Sequence, residues 1–402
     1  MAITDKEKGV WGLDQVYNKI NQGSIWSYTG ATNWMVWGSN ASGTLGLNST
    51  TNVSSPTQLT STDWNIFSSA GYSASFGFGI KTDGTLWSWG ENDKGELGQN
   101  NITACSSPIQ IGSDTNWSTI NSTGYGALGT KTDGTLWVWG RGNWGSLGNN
   151  TGPSYYRSSP VQVGSDTTWP TDMDKMGTGA TNNLAIKTDG TLWVWGRNYY
   201  GQLGINADGN GTEKSSPVQV GSDTTWSSVG QFNGNTTAGA LKSDGTLWMW
   251  GYGSTTGTNQ GAPGGHRSSP TQVPGTTWAK RAQTESTAMA TKTDGTLWMW
   301  GNNNYGQLGV NNTTQYFSPV QVPGTDWDYP VLIPQGSHAV TLCTKTDGTL
   351  WAWGADNFGS LGLNQQGAKY SSPVQIPGTG WQGVAGKMGT SGSAIIGAKV
   401  IN

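Results

Sequence analysis

The feature that most constrains this chain is a ten-residue phrase that keeps returning. Lys81-Thr-Asp-Gly-Thr-Leu-Trp-Ser-Trp-Gly90 recurs in close copies ending at Gly140, Gly196, Gly251, Gly301 and Gly354, and a degenerate copy ending at Gly38 precedes them. Successive copies lie 52, 50, 56, 55, 50 and 53 residues apart. A period of that length marks a supersecondary unit that cannot bury its own faces and must stack on its neighbours. A second phrase, Ser-Pro-x-Gln, keeps step at Pro56, Pro108, Pro160, Pro217, Pro270, Pro319 and Pro373. Eight or nine residues beyond each stands another tryptophan: Trp64, Trp117, Trp169, Trp226, Trp278, Trp327 and Trp381. Of the 24 tryptophans only Trp11, Trp26, Trp34 and Trp144 fall off these positions, so the tryptophan content is mainly architectural.

One unit reads as four short strands. Asp-Gly signals a two-residue type I′ hairpin turn. Leu-Trp-x-Trp is a strand with both tryptophans on one face. Gly-x-Leu-Gly then breaks it, and Ser-Pro opens an outer strand, where proline is tolerated. Four strands per unit predict a propeller blade. The ends of the chain are complementary. Ser393-Ala-Ile-Ile-Gly-Ala-Lys399 matches the strand leading into Lys81 but lacks its Trp-x-Trp partner, and Trp34–Gly38 lacks the strand before it. Pairing the two closes a ring and removes exposed sheet edges. The expected fold is all-β: a seven-bladed β-propeller over residues 33–402, closed by strands from both termini, with a short helical extension over residues 1–32.

These units resemble the repeats of the regulator of chromosome condensation family. The copy Thr188-Asp-Gly-Thr-Leu-Trp-Val-Trp-Gly-Arg-Asn-Tyr-Tyr-Gly-Gln-Leu-Gly204 fits that pattern almost position for position, and the segment from Thr293 to Gly309 does likewise. The resemblance implies a seven-bladed propeller whose end blade is shared by the two termini. One unit departs: after Gly251 the chain lacks Gly-x-Leu-Gly, so the loop there is expected to be rebuilt. The resemblance would also imply nucleotide exchange and chromatin binding, but fold does not carry function, and the basic tail expected for chromatin is missing here.

Charged residues make up 11% of the chain and the net charge is −3, so no field draws it to nucleic acid or anionic lipid. No apolar run is long enough for a membrane-spanning helix, and the first residues lack the apolar stretch of a secretory signal. Cys105 and Cys343 have no metal or redox spacing and read as isolated thiols. His266 and His338, the two histidines, stand in unrelated registers, and His266 reads as a solvated loop side chain. The repeated aspartates at 83, 133, 189, 244, 294 and 347 are explained by turn chemistry, with the lysine two residues earlier neutralising their rim. Neither a catalytic constellation nor a metal cluster emerges. A non-enzymatic protein without cofactor or metal is expected.

In residues 1–32, Leu13, Val16, Tyr17 and Ile20 fall on one face of a helix, flanked by Trp11 and Trp26. Together these six are read as an anchor interface. The leader looks like short N-terminal segments of tailed-phage virion proteins, and the Asn/Thr/Gly/Ser-rich composition agrees. The expected role is a virion surface or appendage protein (tail fibre, spike or capsid decoration), made in the host cytoplasm. It would hold other virion proteins through residues 1–32 and present the propeller to a host glycan or protein. The alternative is a secreted or cell-surface binding module, an adhesin or an inhibitor. Loops between Gly-x-Leu-Gly and Ser-Pro vary where the strands do not, and variation in repeat folds concentrates on the binding face. Aromatics at those tips, Trp144, Tyr199, Tyr200, Tyr305 and Phe358, are the candidate ligand contacts.

Overall fold

A computed structural model describes residues 32–400 except 60, 70–74, 153, 233–235, 254–255, 258–264, 285, 336–337, 357–358, 366, 383–387 and 392–393. Six contiguous stretches each fold into a four-stranded antiparallel sheet, and these are numbered as blades 1 to 6. Blade 1 comprises Trp64–Ser69, Phe76–Lys81, Leu86–Gly90 and Cys105–Gln110. Blade 2 comprises Trp117–Ser122, Gly126–Lys131, Leu136–Asn143 and Ser154–Gln162. Blade 3 runs from Met176–Thr178 to Lys214–Gln219, and blade 4 from Trp226–Ser228 to Arg267–Gln272. Blade 5 runs from Trp278–Gln283 to Tyr316–Val322 and also takes Gln231–Phe232 as a parallel addition. Blade 6 runs from Trp327–Gln335 to Lys369–Ile376.

The expectation of seven blades and a helical extension is corrected here. Complete blades folded from one continuous stretch number six. The remaining sheet is composite: Val53–Gln58 and Thr32–Gly38 come from one end of the chain, and Ala394–Val400 comes from the other. Two short pieces, Trp381–Gln382 and Met388–Ser391, both pair with Ala394–Val400 in place of one inner strand. Within this closing sheet Trp34 lies opposite Ala398 and Gly38 opposite Ala394, so the two ends of the chain do pair. Inner strands touch in cyclic order, with Met388–Ser391 set between Trp327–Gln335 of blade 6 and Trp64–Ser69 of blade 1. Among the described residues the one helical element is the short 3-10 turn Met173–Lys175. The helix expected over 13–20 and all six anchor residues, Trp11, Leu13, Val16, Tyr17, Ile20 and Trp26, lie outside the described residues.

Each residue of the repeated phrase has a structural task. Gly84 takes φ +79° and donates its N–H to the Lys81 carbonyl, while Lys81 N–H reaches the Thr85 carbonyl. Positive φ falls on the glycine alone, so the turn is a type I turn with a glycine bulge rather than the expected type I′. The Asp83 carboxylate accepts from the Thr85 amide and hydroxyl at 3.0 and 2.7 Å, and Thr85 Oγ accepts the Trp87 indole N–H at 2.8 Å. The same chain of bonds recurs in blades 2 to 6. Opposite Trp89, the outer strand bulges between Cys105 and Ile109, which is where Pro108 can sit without breaking a ladder bond.

Packing between blades runs through the second tryptophan of each pair. Trp89, Trp139, Trp195, Trp250, Trp300 and Trp353 are at most 1% exposed. Trp117 stands edge-on to Trp137 and Trp139, with centroids 6.2 and 5.9 Å apart, and every blade repeats this three-ring cluster. Such pairs contribute about 0.5–1.5 kcal/mol beyond their buried area. Trp195 Nε1 donates to the Ser146 carbonyl in the Gly-x-Leu-Gly loop of the preceding blade, at 3.0 Å. That loop's second glycine, Gly148 at φ +66°, leaves room for the ring; a Cβ there would lie 2.7 Å from Trp195 Nε1. Trp37 repeats the bond to Ser360, so blade 6 braces the closing sheet as the other blades brace one another.

Candidate functional site

Strand direction sorts the connections onto two faces. The Asp-Gly turns precede the Trp-x-Trp strands and lie at one end of every blade, and the loops containing Gly-x-Leu-Gly lie at the other. On the Asp-Gly face each lysine of the phrase sits over two tryptophan rings, as Lys187 does over Trp193 and Trp169 at 3.7 and 4.7 Å. In blades 1 to 4 the lysine also pairs with an aspartate, but not with the turn aspartate. Its partners are Asp63, Asp114, Asp166 and Asp223 from the preceding connection. Hydrogen bonds from Lys242 and Thr225 pull Asp223 down to about 2. Those from Thr85 lower Asp83 in the same direction. In blades 1 to 4 the phrase lysines on this face are thus each met by a carboxylate.

On the loop face of blades 2 to 4 the repeat frees side chains rather than using them. In blade 3, Asn198 ties its loop down: Oδ1 accepts Leu203 N–H at 2.9 Å and Nδ2 donates to the Ala207 carbonyl at 2.8 Å. Gln202 Oε1 accepts the Tyr200 amide at 2.8 Å, and Asn206 N–H reaches Ser268 of blade 4 at 2.7 Å. The loop is thereby clamped, with Tyr199 and Tyr200 at its tip. In blade 2, Gly142 replaces the tying asparagine and the strand continues to Asn143. Trp144 follows at φ +57°, a left-handed conformation that is rare for a bulky residue.

These residues meet across three blades. The Arg197 guanidinium lies 5.2 Å from the Trp144 ring and 5.8 Å from Tyr199. Tyr199 is edge-on to Tyr200 at 4.9 Å, and Tyr200 contacts Tyr252 and His266 of blade 4 at 5.4 and 5.1 Å. His266 Nδ1 stands 3.6 Å from an Asp208 carboxylate oxygen. Beside Trp144, Tyr155 lies across the ladder from Gly142, with Arg157 at 5.9 Å from its ring. Arg141 lies 5.2 Å from Tyr125. Trp144, Tyr155, Tyr156 and Tyr199 are 40–54% exposed, and all the large exposed aromatics among the described residues belong to blades 2 and 3.

Of the candidate contacts read from sequence, Trp144, Tyr199 and Tyr200 are brought together. Tyr305 of blade 5 stands apart, paired with Lys369 of blade 6 at 5.0 Å, and Phe358 lies outside the described residues. His266, expected as a solvated loop side chain, is half-buried among tyrosines. The arginines were missed. The signal was present in the repeat alignment: the residue before Ser-Ser-Pro is Arg157, Lys214 and Arg267 in three successive units, and Gly140 and Gly196 are each followed by arginine. The deviant loop after Gly251 keeps part of its task, since Gly257 packs on Trp300 at the place of the missing second glycine. No group of His, Cys, Asp and Glu able to hold a metal occurs among the described residues, and none of the described helices is long and apolar enough to cross a membrane.

Family models for the regulator of chromosome condensation (RCC1) repeat match residues 83–128, 189–231, 294–333 and 347–386, and a second such model matches 174–202. The human E3 ubiquitin-protein ligase HERC2 is 28% identical over 328 residues, covering 81% of this chain but 6% of that protein. The mitochondrial RCC1 domain-containing protein RUG3 of Arabidopsis thaliana is 26% identical over 75% of this chain and 68% of its own length. Among solved structures, Prp20p of Saccharomyces cerevisiae, described with its binding to Gsp1p and histones, superposes with a TM-score of 0.77. It is 18% identical, over 94% of this chain and 93% of that one. Human WBSCR16 gives 0.76 at 16% identity, over 92% and 99% of the two chains. The chain thus carries RCC1 repeats in an RCC1-like β-propeller, a fold that generally serves binding or regulation.

Proposed function

We propose that this RCC1-like propeller is a non-enzymatic binding module whose contact surface is the loop face of blades 2 to 4. The observation that carries this reading is the continuous ledge from Trp144 through Arg197, Tyr199 and Tyr200 to Tyr252 and His266. Tryptophan, tyrosine and arginine are the residue types that dominate protein-binding hot spots. Trp144 adds a second support. A tryptophan held at φ +57° spends conformational energy of about 1–3 kcal/mol, and such strain collects at functional positions. The RCC1-like neighbour Prp20p, described with its binding to Gsp1p and histones, agrees with a proteinaceous ligand.

Placement on a virion, with residues 1–32 holding other virion proteins and the ledge turned to a host protein or glycan, rests on the leader sequence and the Asn/Thr/Gly/Ser-rich composition. Two variants separate these levels. Trp144→Ala/Tyr199→Ala should abolish capture of the partners that the wild-type chain recovers from its native host. Removal of residues 1–31 should leave that capture intact while releasing the propeller from particles. Unchanged capture by the double variant would remove the ledge from the interface, and unchanged incorporation of the shortened chain would remove the anchor.

A further inference from the structure

The opposite faces differ in how their cations are neutralised, and this specifies the chemistry of the partner. The chain has five arginines, and four of them (Arg141, Arg157, Arg197 and Arg267) stand on the loop face of blades 2 to 4. Lys214 occupies the position between Arg157 and Arg267 in the same column, opposite Gly196. Against these five cations the same sector carries two acids, Asp208 and Glu213. Arg141, Arg157, Arg197 and Lys214 have no carboxylate within salt-bridge distance among the described residues, whereas the lysines of blades 1 to 4 on the other face all do. The guanidinium of each of these three arginines instead lies 5.2–5.9 Å from the centroid of an aromatic ring. A guanidinium beside an aromatic ring keeps its planar fork of donors, which meets a carboxylate with two parallel hydrogen bonds.

Resting on the ledge as the contact surface, we infer that its partner is an acidic polypeptide surface, whose Asp and Glu carboxylates are taken by Arg157 and Arg197 while Trp144 and Tyr199 cover the apolar stems between them. Two features favour polypeptide over a polyphosphate strand. The chain as a whole is negative at −3, whereas a protein that holds a phosphate backbone draws on a strongly basic surface. The hot-spot composition of tryptophan, tyrosine and arginine points the same way.

The test uses the full chain and labelled poly-L-glutamate, with heparin, oligo-dT and poly-L-lysine alongside. Wild type should bind poly-L-glutamate saturably and more tightly than the other three, and added salt should weaken the complex. Arg157→Ala/Arg197→Ala should weaken it about tenfold or more. Arg157→Lys/Arg197→Lys, which keeps the charge and loses the planar fork, should fall between the two. An unchanged melting temperature in both double variants shows that the fold is intact. Absence of poly-L-glutamate binding overturns the inference, as does equal binding by the alanine variant. Tighter, arginine-dependent binding of heparin or oligo-dT overturns it in favour of another polyanion. Arginine-dependent self-association of the chain alone overturns it in favour of a second copy. Loss on the arginine changes but not on Trp144→Ala/Tyr199→Ala would leave the acidic partner standing and remove the aromatic ledge. Partner capture through the ledge without poly-L-glutamate binding would do the reverse.

Discussion

The two faces of this propeller are built from the same repeat and treat their side chains differently. On the Asp-Gly face, lysine, threonine, aspartate and tryptophan of each phrase are bound to one another, and the arrangement is copied from blade to blade. On the loop face, glycines, asparagines and backbone amides hold the loop, and the contacts of the tip residues change from blade to blade. There the blades diverge: Ser42, Lys94, Trp144, Tyr200 and Tyr305 occupy one position in five of the units. A repeat that stabilises itself through invariant positions leaves its other positions free to specialise, and blades 2 to 4 have done so with arginine and aromatic rings.

The comparison can be broken first by tryptophan. Trp195→Ala should cost about 3–5 kcal/mol in urea unfolding, because a fully buried ring and its bond to Ser146 are lost together. An equal cost for Trp144→Ala would show that the ledge is scaffold after all. Glycines give the next largest effect. Gly204→Ala should cost about 1–3 kcal/mol, since φ is +67° and the new Cβ would meet Trp250 Nε1 at 2.8 Å. At Gly209, with φ +89° and open space around it, only the backbone strain of about 1 kcal/mol should appear.

Thr191→Val should cost about 1–2 kcal/mol by stranding the Trp193 indole N–H. Glu96 supplies a pH effect on the loop face. It is 4% exposed, and burial raises its carboxyl from 4.5 to about 7. A folded-state pKa above the unfolded value means the fold favours the protonated form. This stabilising contribution is complete below pH 4.5 and lost as pH rises through about 7. In Glu96→Gln, which places the Gln202 and Gln307 amide in the same turn, the urea midpoint should fall less between pH 5 and pH 8 than in wild type. The smallest expected change is at Trp144→Gly. Relief of the left-handed backbone should hold stability or raise it by up to about 1 kcal/mol, while partner binding is lost.

Much of this was readable before any coordinates. Strand order, the role of Asp-Gly and Ser-Pro, and the pairing of Thr32–Gly38 with Ala394–Val400 all follow from the spacing of Trp-x-Trp and from half-hairpins at the chain ends. The split of the closing sheet's inner strand into Trp381–Gln382 and Met388–Ser391 did not, because the sequence shows one repeat there. The type of the Asp-Gly turn was misread, since Asp-Gly suits both a type I′ turn and a type I turn with a glycine bulge, and only φ at Asp83 separates them. Aromatic loop tips were legible as residues but not as a ledge. Which of them touch depends on each loop overlapping the next blade, so Tyr200 meets His266 across 66 positions of sequence while Tyr305 is left two blades away. Sparse charge argued against a field that draws nucleic acid or anionic lipid, whereas the placing of four of the five arginines in one sector is what gives the site its character.

The most direct test places a photoactivatable cross-linking residue at position 199 on the loop face and, in a separate variant, at position 133 on the Asp-Gly face. Both chains are expressed in the cells that naturally produce the protein and irradiated. Covalent adducts with a partner protein at 199 and none at 133 are the predicted result. Adducts at 133 alone, or equally at both, would contradict the assignment of binding to the loop face of blades 2 to 4.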